Sequence, residues 1–554
     1  MRSFLAAVVL ASALIYLHWE GTMEWLSLDR SVPCADEAYH LRLSLECSHL
    51  FCDKPFLEAL RQLPQLDIGY PPLTHLSVAL LHGCEGRGRM ASSFGMLGWF
   101  FVVLACTYGL ALRLGGATAA LRATLLAAFC PLLYAQTRTF LPELPLAALV
   151  MLAVLLLDLS DGLRRPLWAS LFALASGVGL VAKYSFPFYV AGPVLTEAVR
   201  AWRRARWAGL FRLASSGLLA AGLALAVAAP WYAHDWALRW AWMQRQTQLV
   251  WQPFDSSWNS PFGATFYLLC LASFPGMPFY LLLTAIGVVA LLVRKHPARG
   301  LLVTWLAVTW LLLTLTPIKW GEYLVSLLAP MSLTAAIGIT RGFPSDSPQR
   351  LGRLRQLGRA SATAAIFCAG VALYLPITFG IDRTLPEGAR PHPGVEALFL
   401  TPKRWVHSRV LGLLPDADSA LFKSDWFGYT SASYPLVGIV DVLQKEILPG
   451  IVVVASDPQL FADSLTYKLS AVRRKLPLRL VDISETQFYR PDQVEGLILH
   501  THRPLMEPAA SVSFLVEAAG LELPPIGGEH AVVFRLVAQA ATVTGIVHVY
   551  ARLH

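Results

Sequence analysis

Long apolar stretches separated by short polar segments recur along the chain as far as residue 378. An apolar helix needs about 20 residues to cross a bilayer, so this pattern predicts an all-α membrane domain of about 11 spans. The predicted spans are residues 3–18, 90–112, 117–135, 144–158, 167–182, 186–199, 213–231, 263–292, 300–316, 322–340 and 360–378. A cleaved signal peptide is the alternative interpretation of the first span. The apolar segment 71–83 is too short to span comfortably, and we predict an interfacial or re-entrant helix there.

The C-terminal region has a different pattern, in which short hydrophobic runs alternate with polar stretches. Strands are predicted at 450–454, 478–483, 494–499, 531–537 and 543–549, with a helix at 458–471. Alternating strands and helices predict a small layered α/β domain. The sequence therefore divides into a membrane domain, 1–378, and a C-terminal α/β domain, 379–554.

Composition and charge exclude two broad classes of protein. Hydrophobic residues make up 55% of the chain, charged residues only 15%, and the mean hydropathy is +0.52. A soluble chain carries about 25% charged residues, so a soluble cytosolic enzyme is excluded. The net charge of +9 comes largely from short basic clusters between the spans. Such clusters are typical of cytoplasmic loops and argue against nucleic-acid binding.

The same charge rule predicts the orientation of the chain. With every basic cluster in the cytoplasm, the acidic first loop, 19–89, and the C-terminal domain both lie outside, on the extracytoplasmic (periplasmic) side. Four cysteines fall in that loop, which permits two disulfides; a zinc site is the alternative. These cysteines are Cys34, Cys47, Cys52 and Cys84.

Charged residues at the ends of spans are candidates for function, because charge beside a membrane is costly. Under the predicted topology several of them meet at the outer face. They are Asp36, Glu37, Arg138, Glu143, Lys183, Lys319 and Glu322, with Tyr323 beside the last. Helix caps for the acids and interfacial anchors for the lysines are the alternatives. His40 lies one helical turn after Asp36, where it either holds that carboxylate or is a solvated loop residue.

This set of residue types suits transfer of a group from an anionic lipid carrier. Lysine and arginine bind a phosphate and stabilise it as it leaves. A carboxylate takes the proton from an attacking hydroxyl. The C-terminal domain has no glycine-rich phosphate loop, so the donor is expected to arrive already activated on a lipid.

Six short motifs, in order, resemble one family of membrane enzymes. They are Asp36-Glu37-Ala38-Tyr39, Tyr70-Pro71-Pro72-Leu73, Arg138-Thr139-Phe140-Leu141-Pro142-Glu143, Gly179-Leu180-Val181-Ala182-Lys183, Ala229-Pro230-Trp231-Tyr232 and Pro317-Ile318-Lys319-Trp320-Gly321-Glu322-Tyr323-Leu324. Over roughly residues 1–340 the chain is similar to the GT-C membrane glycosyltransferases, specifically the protein-O-mannosyltransferase and aminoarabinose (lipid A) transferase group.

The resemblance implies roles for particular residues. Asp36 would be the general base, with Glu37 the adjacent acid. Glu143 stands where the family more often has aspartate, and either joins the catalytic acids or orients the acceptor or a polar network. The donor phosphate would be held by Arg138, Lys183 and Lys319, while His40, Tyr70, Glu322 and Tyr323 would line the pocket.

The resemblance also implies the reaction. A sugar would pass with inversion from a polyprenyl-phosphate donor to a hydroxyl of a lipid, glycan or protein acceptor, in the plasma (inner) membrane. No cofactor is implied: the Asp-Glu pair favours a metal-free reaction, with a divalent cation as the alternative. Two other hypotheses stay open. One is a transporter or flippase of a lipid-linked sugar; the other is a structural membrane subunit whose external domain binds a partner.

Overall fold

The computed structural model describes residues 2–29, 35–67, 69–82, 88–249, 257–340 and 349–380, a few positions between 384 and 392, and five C-terminal strands. The helices are α1 Arg2–Leu28, α2 Ala35–Asp53, α3 Phe56–Gln62, α4 Leu73–His82, α5 Gly88–Gly115, α6 Ala117–Ala128, α7 Pro131–Ala135, α8 Glu143–Leu159, α9 Pro166–Ala182, α10 Phe186–Tyr232, α11 Trp236–Leu249, α12 Pro261–Ser273, α13 Met277–Val293, α14 Arg299–Leu315, α15 Val325–Thr340 and α16 Gln349–Phe379. Two short 3-10 helices cover Leu63–Gln65 and Gly321–Leu324.

Several of these helices are long and apolar enough to cross a membrane. Among the described residues four stretches meet that condition: Arg89–Gly115, Arg206–Tyr232, Gly321–Thr340 and Ala360–Phe379. A bent pair, α12 with α13, raises the number to five if it counts as one span. Other apolar helices, such as α9 and α14, have 10–17 residues. The total of about 11 spans therefore stays a prediction. The short helix predicted at 71–83 is present as α4.

The span predicted over 263–292 is divided into two helices in the structure. The chain bends by 113° between α12 and α13. Pro275 and Gly276 follow α12, and Gly276 has a left-handed backbone with φ 71°. Proline removes a backbone donor and glycine permits the left-handed turn, so this pair ends one helix and starts the next.

The 47-residue helix α10 is a hairpin of two helical halves. A Cβ on Gly179 would contact Phe186, at the start of α10, and the hydroxyl of Tyr232, at its end, donates to the carbonyl of Leu180 at 3.0 Å. Both ends of α10 thus lie against the same end of α9. The reversal falls near Arg206, which has φ 49°. The two spans predicted at 186–199 and 213–231 are therefore the arms of this hairpin.

The core of the helical bundle is formed by α8 and α15, whose side chains are almost all buried. Helices that are apolar all round belong in such an interior. Gly287 of α13 packs on Gly338 of α15, where a Cβ on Gly338 would lie 2.5 Å from the Gly287 carbonyl oxygen. Only glycine allows this approach of the two backbones.

Contacts divide the chain into two compact units. The first contains Met1–Trp25, Leu60–Thr74 and Ser93–Gly428, and the second contains Leu26–Ala59, His75–Ser92 and Tyr429–His554. Most of the spans belong to the first unit. The second unit includes α2, most of α3 and of α4, and the five strands.

The strands form one mixed sheet. They are β1 Ile451–Val454, β2 Arg479–Asp482, β3 Val494–Thr501, β4 Phe534–Ala541 and β5 Ile546–Arg552, in the order β2-β1-β3-β5-β4. β1 pairs in parallel with β2 and β3, whereas β5 pairs antiparallel with β3 and β4. All five predicted strands are found, the last two beginning three residues later than predicted. The predicted helix at 458–471 lies outside the described residues.

The cysteines of the first loop do not form two disulfides with one another. Cys52 is disulfide-bonded, whereas Cys47 is a buried thiol. Cys47 lies within α2, and its side chain is buried. Cys34 and Cys84 lie outside the described residues.

Candidate active site

Glu143 and Lys183 form a buried ion pair at one end of the neighbouring helices α8 and α9. Pro142 precedes α8, and Glu143 is its first residue, where the helix dipole favours an acid. Lys183 follows the last residue of α9, where the dipole favours a cation. The Lys183 ammonium donates to Glu143 Oε1, and both side chains are almost completely buried. Burial is the largest single effect and opposes the charge on Lys183, but Glu143, Tyr184 and Glu322 together outweigh it, so the pKa of Lys183 lies above its ordinary value.

Tyrosines and a second acid surround this ion pair. The Lys183 ammonium lies 4.8 Å from the centre of the Tyr323 ring, a cation–π distance. Glu322 is buried and interacts electrostatically with both Lys183 and Tyr323. Tyr70 also interacts with Tyr323. Five residues from four distant stretches of sequence therefore converge here.

The Lys319 side chain is hydrogen-bonded at the C-terminal end of α14. Its ammonium donates to the carbonyls of Thr314 at 2.6 Å and Thr316 at 3.0 Å, and lies 5.8 Å from the centre of the Tyr267 ring. Burial lowers the pKa of Lys319. Since the last carbonyls of a helix attract cations, this lysine caps α14 in addition to any role in binding.

Arg138 lies in a separate cage of aromatic rings and hydroxyls. Its guanidinium carbon is 5.4 to 5.7 Å from the ring centres of Trp25, Tyr134 and Tyr374. Its Nη2 donates to Tyr374 Oη and to Thr378 Oγ1, each at 3.2 Å. Arg138 is buried, and its Nε and Nη1 have no hydrogen-bond partner among the described residues. A buried guanidinium with unsatisfied donors and neutral neighbours is a strong site for an anion.

Arg239 holds the segment that carries Tyr70, a role the sequence did not reveal. It donates to the carbonyls of Pro64 at 2.6 Å and Asp67 at 3.0 Å, and stacks over the Trp231 ring at 3.8 Å. The Asp67 carboxylate in turn accepts from the Tyr70 backbone N–H at 2.8 Å. The sequence feature that could have indicated this role is the position of Arg239 in the tryptophan-rich segment after Ala229-Pro230-Trp231-Tyr232.

In the second unit, Asp36 and Glu37 occupy the first turn of α2. Asp36 is exposed, and it lies inside the helix rather than at the residue before it. Glu37 lies 3.7 Å from Arg89 Nε, and Arg89 also pairs with Asp29. Two acids adjacent in sequence therefore differ in burial, since Glu37 is partly buried beside an arginine and Asp36 is exposed.

His40 and His75 join α2 to α4. Both are buried, His40 Nδ1 lies 2.9 Å from His75 Nε2, and the two rings are stacked. One turn along α2, Ser44 Oγ lies 2.8 Å from His82 Nε2. Burial lowers the pKa of His82 to about 4, with a smaller contribution from the nearby His49. The solvated-loop alternative for His40 is therefore wrong, because His40 is buried against His75, and a role in holding Asp36 stays a prediction.

The comparisons with known proteins agree with the fold expected from the sequence. No protein-family model matches the chain, and no curated protein sequence matches it. The structure is similar to ArnT from Cupriavidus metallidurans in the apo state, at a TM-score of 0.57 and 15% identity, over 98% of each chain. It is also similar to the same protein bound to undecaprenyl phosphate, at a TM-score of 0.50, with the same identity and coverage. ArnT is a GT-C glycosyltransferase. The chain therefore has a mostly helical, multi-pass membrane fold of the GT-C type.

Proposed function

We propose that this protein is an integral-membrane glycosyltransferase that moves a sugar from a polyprenyl-phosphate donor to a hydroxyl acceptor. The observation that carries the proposal is the buried Arg138 guanidinium, whose Nε and Nη1 donors are unsatisfied among the described residues. The phosphate of a lipid-linked sugar is an anion of the shape that a guanidinium fork binds best. The fold shared with a protein that binds undecaprenyl phosphate supports this choice of donor.

Asp36 is proposed as the general base. Its exposure at the start of α2 supports this role, because a base must be reached by the acceptor hydroxyl. The hydroxyl oxygen attacks the anomeric carbon with inversion, its proton passes to Asp36, and the bond to the phosphate oxygen breaks. Polyprenyl phosphate leaves as an anion, so the reaction needs no strong general acid. Glu37, bound by Arg89, keeps the first turn of α2 in place.

Lys183 and Glu143 are proposed to act together as part of the donor site. An ammonium that is already paired binds phosphate less strongly, so Lys183 contributes mainly through the network it forms with Glu143 and Tyr323. This geometry favours the network role for Glu143 over that of a second base. Tyr70, Lys319 and Glu322 complete the proposed pocket.

The proposed topology keeps 11 spans, with the site and the C-terminal α/β domain on the extracytoplasmic side of the inner membrane. The separation of basic clusters from acidic loops supports this orientation. No metal cofactor is included, in line with the Asp36-Glu37 pair. The acceptor is a hydroxyl of a lipid, a glycan or a protein.

Sugar transfer in membranes supplied with polyprenyl-phosphate sugars tests the proposal, with Asp36→Asn compared with the wild type. Loss of a general base lowers transfer by about 100- to 10,000-fold, while donor binding is retained. Glu37→Gln is the matched control, with a smaller loss. Transfer at the wild-type rate by Asp36→Asn would contradict the assignment of the base. A wild type that moves the labelled donor across vesicles without forming product would instead establish the transporter hypothesis.

A further inference from the structure

A charged cavity lies at the opposite end of α8 and α9 from the Glu143–Lys183 pair. Glu143 opens α8 and Asp158 is 15 residues further along the same helix, about 22 Å away at 1.5 Å per residue. The cavity has a volume of about 350 Å³. Its charged lining residues are Arg113, Asp158, Asp161, Arg165, Glu197, Arg200 and Arg204. It is therefore separate from the candidate active site.

Carboxylates in this cavity hold the arginines in defined positions. Arg113 Nε donates to Asp158 at 2.6 Å, and Arg200 donates to Glu197. The acids are the more buried partners: Asp158 and Glu197 are 15% and 7% exposed, whereas Arg113 and Arg200 are 41% and 30% exposed. Asp158 and Glu197 thus form the floor, whereas the rim carries the arginines together with the exposed Asp161, so arginines outnumber acids at the mouth of the cavity.

Arg165 adds a cation that no carboxylate neutralises within the described part of the chain. It is the residue before α9, and it lines the cavity. Arg204 pairs at 3.1 Å with Asp161, and both of these side chains are exposed. A guanidinium has five donors, so an arginine held by one acid keeps N–H groups for a further anion.

The backbone that places Arg165 has an unusual conformation. Asp161, Gly162 and Leu163 have successive positive φ angles of 49°, 66° and 63°. The buried Ser160 holds this turn, since its Oγ accepts from the Leu163 N–H at 2.9 Å and its carbonyl accepts from the Arg165 N–H at 3.0 Å. A Cβ on Gly162 would lie 3.1 Å from Glu197 Oε2, so the turn packs directly against the cavity floor.

We infer that this cavity binds the phosphate of an anionic membrane-lipid headgroup. Basic pockets between membrane helices are suited to such headgroups, and the cavity lies at the ends of the helices, where headgroups lie. Its volume is at the lower end of the range of about 300–1,000 Å³ for small-molecule sites, which is enough for a lipid headgroup. The inference is independent of the proposed function, because the ligand is a bulk lipid and the cavity is distant from Arg138 and Lys183.

Lipid binding by the full-length protein tests this inference. The purified protein, in a neutral detergent, is titrated with phosphatidylglycerol, with zwitterionic phosphatidylcholine for comparison, and bound lipid is counted by native mass spectrometry. Phosphatidylglycerol is expected to bind in preference to phosphatidylcholine. The double variant Arg165→Gln/Arg204→Gln is expected to bind it about thirtyfold more weakly, or roughly fivefold per arginine. Neither change disturbs folding, since Arg165 has no described partner and the Arg204–Asp161 pair is exposed.

The matched control is Lys295→Gln/Arg299→Gln, which removes one charge before α14 and one at its first residue, both outside the cavity lining. It is expected to bind phosphatidylglycerol as the wild type does. An equal loss in both double variants, or no loss in the cavity variant, would overturn the inference. A third arm uses sn-glycerol 3-phosphate. If that soluble phosphoester bound as tightly as the lipid, the cavity would be a site for a free phosphate ester and the lipid assignment would be wrong.

Discussion

Replacement of Glu143 by glutamine is expected to destabilise the protein strongly, because it leaves the Lys183 ammonium buried without its counter-charge. Both side chains are almost completely buried in the structure. Removing one partner of a buried pair costs about 3–5 kcal/mol. For a chain of this size we expect the thermal midpoint to fall by roughly 5–10 °C, at about 2 °C per kcal/mol.

A double-mutant cycle separates the ion pair from simple packing. Lys183→Met keeps the length of the side chain but removes the charge, so Glu143→Gln/Lys183→Met contains no unpaired buried charge. The double variant is expected to be more stable than Glu143→Gln alone. The coupling free energy between the two positions is expected to be about 1–3 kcal/mol. Thermal unfolding of the four proteins in the same detergent measures this coupling.

The pH dependence of the single variant gives a second measure of the same pair. Glu143 raises the pKa of Lys183 above its ordinary value, and burial acts in the other direction. In Glu143→Gln burial, the largest single effect, is opposed only by the smaller effects of Tyr184 and Glu322, so Lys183 is expected to lose its proton at a lower pH and stability to rise with pH. Equal midpoints for Glu143→Gln and the double variant, with no dependence on pH, would refute the assignment of a coupled buried pair.

Three further predictions concern single residues. Arg138→Lys loses the guanidinium fork and is expected to raise KM for a polyprenyl-phosphate sugar by about thirtyfold. Arg122, a buried arginine of α6 that donates to the hydroxyls of Thr340 and Thr363, is the control, and Arg122→Lys should leave KM unchanged. Lys319 has a lowered pKa, so it should lose its charge, and KM for the donor should rise, at a lower pH than for an ordinary lysine. Lys319→Arg should move this alkaline rise in KM to higher pH, and an unchanged profile would exclude Lys319 from donor binding. The pKa of His82 falls from 6.5 to about 4 on folding, so its contribution to stability is complete above pH 6.5 and is lost as the pH falls toward 4. The loss is about 3 kcal/mol, and His82→Gln should flatten this part of the curve of thermal midpoint against pH.

The sequence determined the local secondary-structure elements and the helix ends at which charged residues lie. Hydrophobic runs predicted the helices, because an apolar segment in a membrane must satisfy its backbone hydrogen bonds internally. Pro142 before Glu143 predicted the start of α8, and Lys183 was predicted at the end of α9. Alternating hydrophobic runs predicted all five strands of the C-terminal sheet. These features depend only on residues that are close in the sequence, so the sequence alone is enough to predict them.

Only the tertiary structure decided which of these residues meet. Glu143 and Lys183 pair because α8 and α9 pack as antiparallel neighbours, and their hydrophobic patterns do not specify that pairing. The cage of Arg138 joins rings from α1, α7 and α16, which are far apart in sequence. Hydrophobic periodicity shows which face of a helix is buried but not which partner buries it. The partners follow from how whole helices pack, and that packing turned a list of charged residues into an ion pair, an aromatic cage and a basic cavity.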